Sequence, residues 1–245
     1  MKRRLLINIL LLAVGLIQSA TLCAGERLFV STSKVTTSVE ANNYSPGNHG
    51  TFRFAQITDI HFSPNNPNPT EDLLRSVAQI NATDSIDFVL VTGDIAEEGD
   101  RATMLRVKET LDLLKVKYYI TLGNHETKWS DSGCTAFEEI FGGERFEFEH
   151  KGILFLGFNS GPLMRMANGH VVPQDIRWMT ERMNRFNTGN SQLSTLHPPL
   201  NKPVILVTHY PLIEGDVDNW YEVTDAVRPY NICLLYTSPS PRDTR

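Results

Sequence analysis

The sequence predicts an α/β fold built around a largely parallel sheet. Short apolar runs alternate with amphipathic helical patterns of 12 to 15 residues, and that alternation marks βαβ units. The runs are apolar at successive positions, as in strands covered on both faces. With 41% apolar and 21% charged residues in 245, the chain has ordinary globular composition, enough for one well-filled core or at most two small domains.

Five segments carry the strand signal: Phe54 to Thr58, Phe88 to Thr92, Tyr118 to Leu122, Ile153 to Phe158 and Val204 to Thr208. Three helices lie between them. The first is expected to be capped by Asn68, with Pro69 at its first position and Glu71 closing a capping box, and to bury Leu73, Leu74, Val77 and Ile80. The second is capped by Asp100 and turns Met104, Val107, Leu111 and Leu114 inward. The third runs from about Pro173 to Phe186, with Ile176, Met179, Met183 and Phe186 inward and Trp178 read as packing. Residues 187 to 203 read as a surface excursion.

Residues 1–24 differ in kind. Lys2, Arg3 and Arg4 precede an apolar run of about a dozen residues and then small residues, which is the order of a secretory signal. The run falls short of the roughly 20 residues that span a bilayer, so the expectation is cleavage, no lasting membrane anchor, and an extracytoplasmic location, periplasmic or secreted. Residues 25–50 are polar and read as a linker. Loss of three cations and no anions would take the formal charge from -5 to -8. An acidic surface argues against nucleic acid as a partner. Of the three cysteines, Cys134 alone belongs to the domain proper, so no internal disulfide framework is expected.

The strands share a polar ending. Asp59 and His61 follow the first, Gly93 and Asp94 the second, Gly123, Asn124, His125 and Glu126 the third, and His209 and Tyr210 the last. In a parallel sheet these carboxyl ends open on one crevice. The residue types converge as well, since carboxylates, an amide oxygen and imidazoles suit divalent transition metals. One ion needs about three or four protein ligands, so this inventory suits two ions that share a carboxylate. Taken singly, each residue has a plainer role: Asp94 or Asn124 as a turn former or cap, and His209 as a half-exposed histidine. Four such endings in order shift the balance.

In these residues the chain resembles the calcineurin-like metallophosphoesterase superfamily, whose signature runs D-x-H, G-D, G-N-H-[DE], H and G-H-x-H. The resemblance covers roughly residues 51 to 215. It implies an αββα sandwich of two mixed sheets flanked by helices and a site for two divalent cations, manganese, iron or zinc. By that similarity Asp59 and His61 hold one ion, Asn124 and His209 the other, and Asp94 bridges them. His125 then faces the substrate, a small phosphate ester, monoester or diester, as acid or transition-state donor. Some members orient that histidine with an Asp three residues after the bridging one, where this chain has Glu97. Purple acid phosphatases place a Tyr there, and its absence argues against a tyrosinate-bound ferric site.

No histidine follows His209, so the closing G-H-x-H is unmatched. Residues 233–245 resemble the translation of a sequencing-library adaptor, and the expectation is a domain over 51–232 that lacks its C-terminal segment, followed by a non-native tail. A chain without those two ligands is expected to bind metal weakly and to be inactive. The alternatives are a non-catalytic binder on the same fold and, less favoured by charge, a nuclease.

Overall fold

The computed structural model describes residues 52–164, 166–188 and 202–237, together with the backbone of 8–12. Two four-stranded sheets face each other. The first has the order β1-β2-β3-β4, from β1 (Asn8–Leu12), β2 (Phe52–Ile57), β3 (Phe88–Thr92) and β4 (Tyr118–Thr121). The second has the order β5-β6-β7-β8, from β5 (Phe146–His150), β6 (Ile153–Gly157), β7 (Val204–Val207) and β8 (Ile232–Tyr236). In each sheet the first strand is antiparallel and the rest are parallel.

Side-chain alternation explains the sandwich. Phe52, Phe54, Phe88 and Leu90 point inward from the first sheet and meet Ile153, Phe155, Ile205 and Val207 of the second. Phe155 is the hub, with ring centroids 4.6 Å from Phe148, 5.2 Å from Phe88 and 6.4 Å from Phe54. The alternate residues, Ala55, Ile57, Val89 and Val91, pack under α1 (Pro67–Ala82), α2 (Arg101–Leu111) and α4 (Thr135–Phe141). Leu154, Leu156, Val204 and Leu206 pack under α5 (Pro173–Thr188) and α6 (Trp220–Val227). Every inner strand is thus covered on both faces, and the four layers are the αββα sandwich that the resemblance implied. The single parallel sheet suggested by periodicity alone is divided into two.

Most of the expected elements are present, with shifted ends. The first helix begins two residues earlier than expected: Asn66 is the cap, its side chain accepting from the Asn68 amide, and Pro67 opens the helix. Leu74, expected inward, lies at the surface, while Leu73, Val77 and Ile80 are buried. Asp100 caps α2 as expected, accepting from Thr103 N at 2.9 Å. On α5, Met179, Met183 and Phe186 are buried, and so is Asp175, which pairs with Arg145. Arg145 also lies over the Trp178 ring, in keeping with a packing role.

The expected signal over 1–24 and linker over 25–50 lie outside the described residues, apart from β1, which borders β2. The first residues of the expected tail, Cys233–Tyr236, belong to β8, the outer strand of its sheet, and the Tyr236 ring packs edge-on to Phe54 at 5.2 Å. Residues 238–245 of that tail and most of the 187–203 excursion lie outside the described residues. Among the described residues, no helix is long and apolar enough to cross a membrane.

Candidate metal centre

Four loops meet at the carboxyl ends of β2, β3, β4 and β7. The loop after β3, Gly93 to Glu97, is the one that the other three are tied to. The loop after β2 runs alongside it: Asp59 N donates to Gly93 O, His61 N to Asp94 O and Phe62 N to Ile95 O, at 3.2, 2.9 and 3.0 Å. From the second sheet, His209 Nδ1 donates to Thr92 O at 2.7 Å. From β4, Gly123 leads into the single turn α3 (Asn124–Thr127), and His125 N donates to Asp94 Oδ1 at 3.0 Å.

Glu126 fastens this turn. Its carboxylate is fully buried and accepts four main-chain amides: Gly123 and Asp94 on Oε2 at 2.8 and 3.0 Å, Ile95 and Ala96 on Oε1 at 2.9 and 3.1 Å. Burial pushes the Glu126 carboxyl up and the Asp94 charge adds to this, while the amides oppose both. Each oxygen already faces two donors, so neither can carry a proton without setting it against an N–H. The signature G-N-H-[DE] marked Glu126 as a site residue, but nothing in the sequence pointed to this fastening role.

The strand ends require tight backbone. Asp59, His61 and Asp94 adopt φ of 53°, 48° and 51°, the left-handed region where Asp and His are more tolerated than most residues. Such local strain persists where surrounding structure fixes it, commonly at functional sites. Gly93 has φ of 83°, and a Cβ there would stand 2.6 Å from Gly123 N and 2.7 Å from His209 Nδ1. Glycine lets β3, β4 and β7 close on one point.

The donors converge on Asp94. Its Oδ2 lies 3.3 Å from His209 Nε2, 3.8 Å from His61 Nε2 and 3.9 Å from His125 Nε2. Asp59 Oδ1 lies 3.9 Å from His61 Nε2. Two groups of potential ligand atoms result, Asp59, Asp94 and His209 in one and His61, Asp94 and His125 in the other, each within 4.8 Å. Asp94 is common to both, as a bridging carboxylate would be. The division of the other residues differs from the sequence-based pairing, which joined Asp59 with His61 and kept His125 apart. Asn124 opens α3 beside them, half-buried, directly after Gly123, whose backbone packs on the Asp94 carboxyl.

The electrostatics fit a cation. Burial alone would raise Asp94, but His209 and His125 hold it far below the usual carboxylate range. Burial alone would lower His209, but Asp94 pushes it up to about 9. His61 is likewise raised, against its burial, by Asp59, Asp94 and Glu97. In the metal-free protein the His209 imidazole thus carries a proton beside Asp94, in the cation's place. The tautomers suit ligation, because Nδ1 of His209 and of His125 each donates to a backbone carbonyl, Thr92 O and Glu97 O, and Nε2 is left toward the centre.

Residues 52–236 match the family described as calcineurin-like phosphoesterase. A "Probable glycerophosphodiester phosphodiesterase GpdQ" of Arcobacter nitrofigilis is 28% identical over 122 residues, 46% of this chain and 42% of the relative. The aligned part thus spans under half the length of that protein. A purple acid phosphatase from yellow lupin (Lupinus luteus) seeds superposes with a TM-score of 0.47 at 13% identity, over 77% of this chain and 40% of that one.

Proposed function

Because the chain belongs to the calcineurin-like phosphoesterase family, we propose that it acts on small phosphate esters as a metal-dependent hydrolase, with two divalent cations held among Asp59, His61, Asp94, Asn124 and His209. The observation that carries this reading is the position of Asp94, whose one carboxylate faces three imidazole nitrogens and belongs to both groups of donors. Bound cations would supply Lewis-acid polarisation of the phosphate and acidify a water to hydroxide.

The chain's own residues do the rest. Asp94 fixes the spacing between the two positions and adds negative charge where two cations would otherwise repel. The main-chain carbonyls of Thr92 and Glu97 aim the imidazoles inward, as partners of ligating histidines commonly do. His125, half-buried with Nε2 toward Asp94, would donate a proton from Nε2 to a phosphoryl oxygen or to the departing alkoxide. Because Nδ1 already holds one proton, that donation requires the doubly protonated ring.

The likeness to a protein named as a glycerophosphodiester phosphodiesterase supports a diester as substrate, and an extracytoplasmic site of action fits the basic and apolar order of residues 1–24. The second reading on the same fold is a binder of phosphate esters without turnover.

Hydrolysis of bis(p-nitrophenyl) phosphate and p-nitrophenyl phosphate with manganese or zinc, alongside calorimetric metal titration, separates the two. The hydrolase gives metal-dependent product that Asp94→Asn abolishes together with tight metal binding. Metal and phosphate binding without product selects the binder, and activity that survives Asp94→Asn overturns the bridging role.

A further inference from the structure

The turn that follows the Gly93–Glu97 loop touches His125 from the side away from Asp94. His125 Nδ1 donates to the main-chain carbonyl of Glu97. Two residues on, Gly99 has φ of 58°, and a Cβ at Gly99 would collide with the His125 carbonyl oxygen and stand 3.0 Å from Ser130 Cβ. Asp100 then caps α2. The turn is therefore anchored at both ends, by the loop hydrogen bond from Glu97 N to Phe62 O at 2.9 Å and by the helix cap.

Glu97's carboxylate points elsewhere. Its Oε2 approaches His61 Nδ1 to 3.0 Å, in an ion-pair contact without good hydrogen-bond alignment. The His61 and His125 rings meet edge to face with centroids 4.7 Å apart. One residue thus addresses both histidines, its side chain the first and its main chain the second.

We propose that the Glu97–Gly99 turn is the positioning element of His125: the Glu97 carbonyl fixes the proton on Nδ1 and leaves Nε2 facing Asp94, and Gly99 is required because only a residue without Cβ lets the turn close on the His125 backbone. The usual partner for such a role is a side-chain carboxylate. Here a main-chain oxygen takes it, so the identity of the residue at 97 matters less than the absence of a side chain at 99. The consequence for turnover rests on the hydrolytic reading of His125, but the positioning does not.

The test reads the ring directly. Nitrogen-15 NMR of the histidine rings in the metal-free full chain, at a pH where His125 is neutral and with its signal identified by His125→Gln, distinguishes an Nδ1-H ring from an Nε2-H ring. The wild type is expected to show Nδ1-H, Glu97→Ala to retain it, and Gly99→Ala to lose it to the Nε2-H form. A wild-type ring protonated on Nε2 overturns the proposal even if Gly99→Ala does not fold. Loss of the Nδ1-H form in Glu97→Ala also overturns it, because the carboxylate would then be the orienting group. An inactive chain leaves all of these readouts intact, so a failure of the hydrolytic reading is not mistaken for a failure of this one.

Discussion

Replacing Glu126 by Gln changes one oxygen to an NH2 group and leaves the side-chain volume almost unchanged, so no cavity is created. The wild-type carboxylate accepts from four buried amides at 2.8 to 3.1 Å. Whichever way the new amide turns, one oxygen still serves two of them and the NH2 faces the other two. Two buried donors lose their acceptor, at about 1–3 kcal/mol each, so the loss is about 2–6 kcal/mol, a large share of the roughly 5–15 kcal/mol of a typical domain. Glu126→Asp tests reach separately, since it withdraws the carboxylate by about one carbon–carbon bond, ~1.5 Å, enough to leave the hydrogen-bonding range for most of the four. Urea unfolding of the metal-free chain gives the stability change, and amide exchange at Ile95 and Ala96 shows whether the loop after β3 loosens first. A Glu126→Gln protein within about 1 kcal/mol of wild type, with those amides still protected, would refute the fastening role.

Three further outcomes follow. The metal-free chain should have a stability plateau in pH. Asp94, depressed in the fold, contributes fully above its ordinary 3.8 and loses that contribution as pH falls toward its folded value; His209, raised, contributes fully below its ordinary 6.5 and loses it as pH climbs through about 9. Melting temperatures should hold between about 4 and 6.5 on this account and decline by pH 9, and a flat profile across 6.5 to 9 would contradict the pair. Gly93→Ala should destabilise by about 1–3 kcal/mol from backbone strain alone and lower manganese affinity, because the added carbon presses on both Gly123 and His209; unchanged calorimetric affinity would show that the approach of these strands is less tight. Phe155→Ala should cost about 3–5 kcal/mol, since its ring meets Phe88 and Phe54 of the first sheet and stacks on Phe148 of its own, and a loss under 1 kcal/mol in chemical denaturation would argue against one shared core.

Fold and site were legible to different depths for physical reasons. Strands covered on both faces need apolar side chains at every position, so Phe88–Thr92 and Val204–Val207 stood out against polar surroundings. Phe146–His150 did not, because its alternate glutamates face outward on an antiparallel edge and break the apolar run. The short helices α3 and α4 hold too few turns for a period of 3.6 to show. The start of the first helix was misplaced by two residues because two Asn-Pro pairs, Asn66–Pro67 and Asn68–Pro69, stand side by side, and either start leaves Leu73, Val77 and Ile80 on one face.

The candidate ligands were legible because their chemistry is written in residue type and in position after a strand. The apparatus that aims them is not, since much of it is main chain. Thr92 and Glu97 act on His209 and His125 through carbonyl oxygens that any residue possesses, and Gly99 acts by lacking a side chain. The exception is Glu126, whose carboxylate gathers four amides of the two loops bearing Asp94 and His125. A glutamate three residues into a helix reads as an ordinary cap until the amides from thirty residues away are seen pointing at it. It follows that substitutions at Glu126, Gly93 and Gly99 test the site more sharply than replacing the ligands themselves, because each leaves every donor in place and alters only where the donors point.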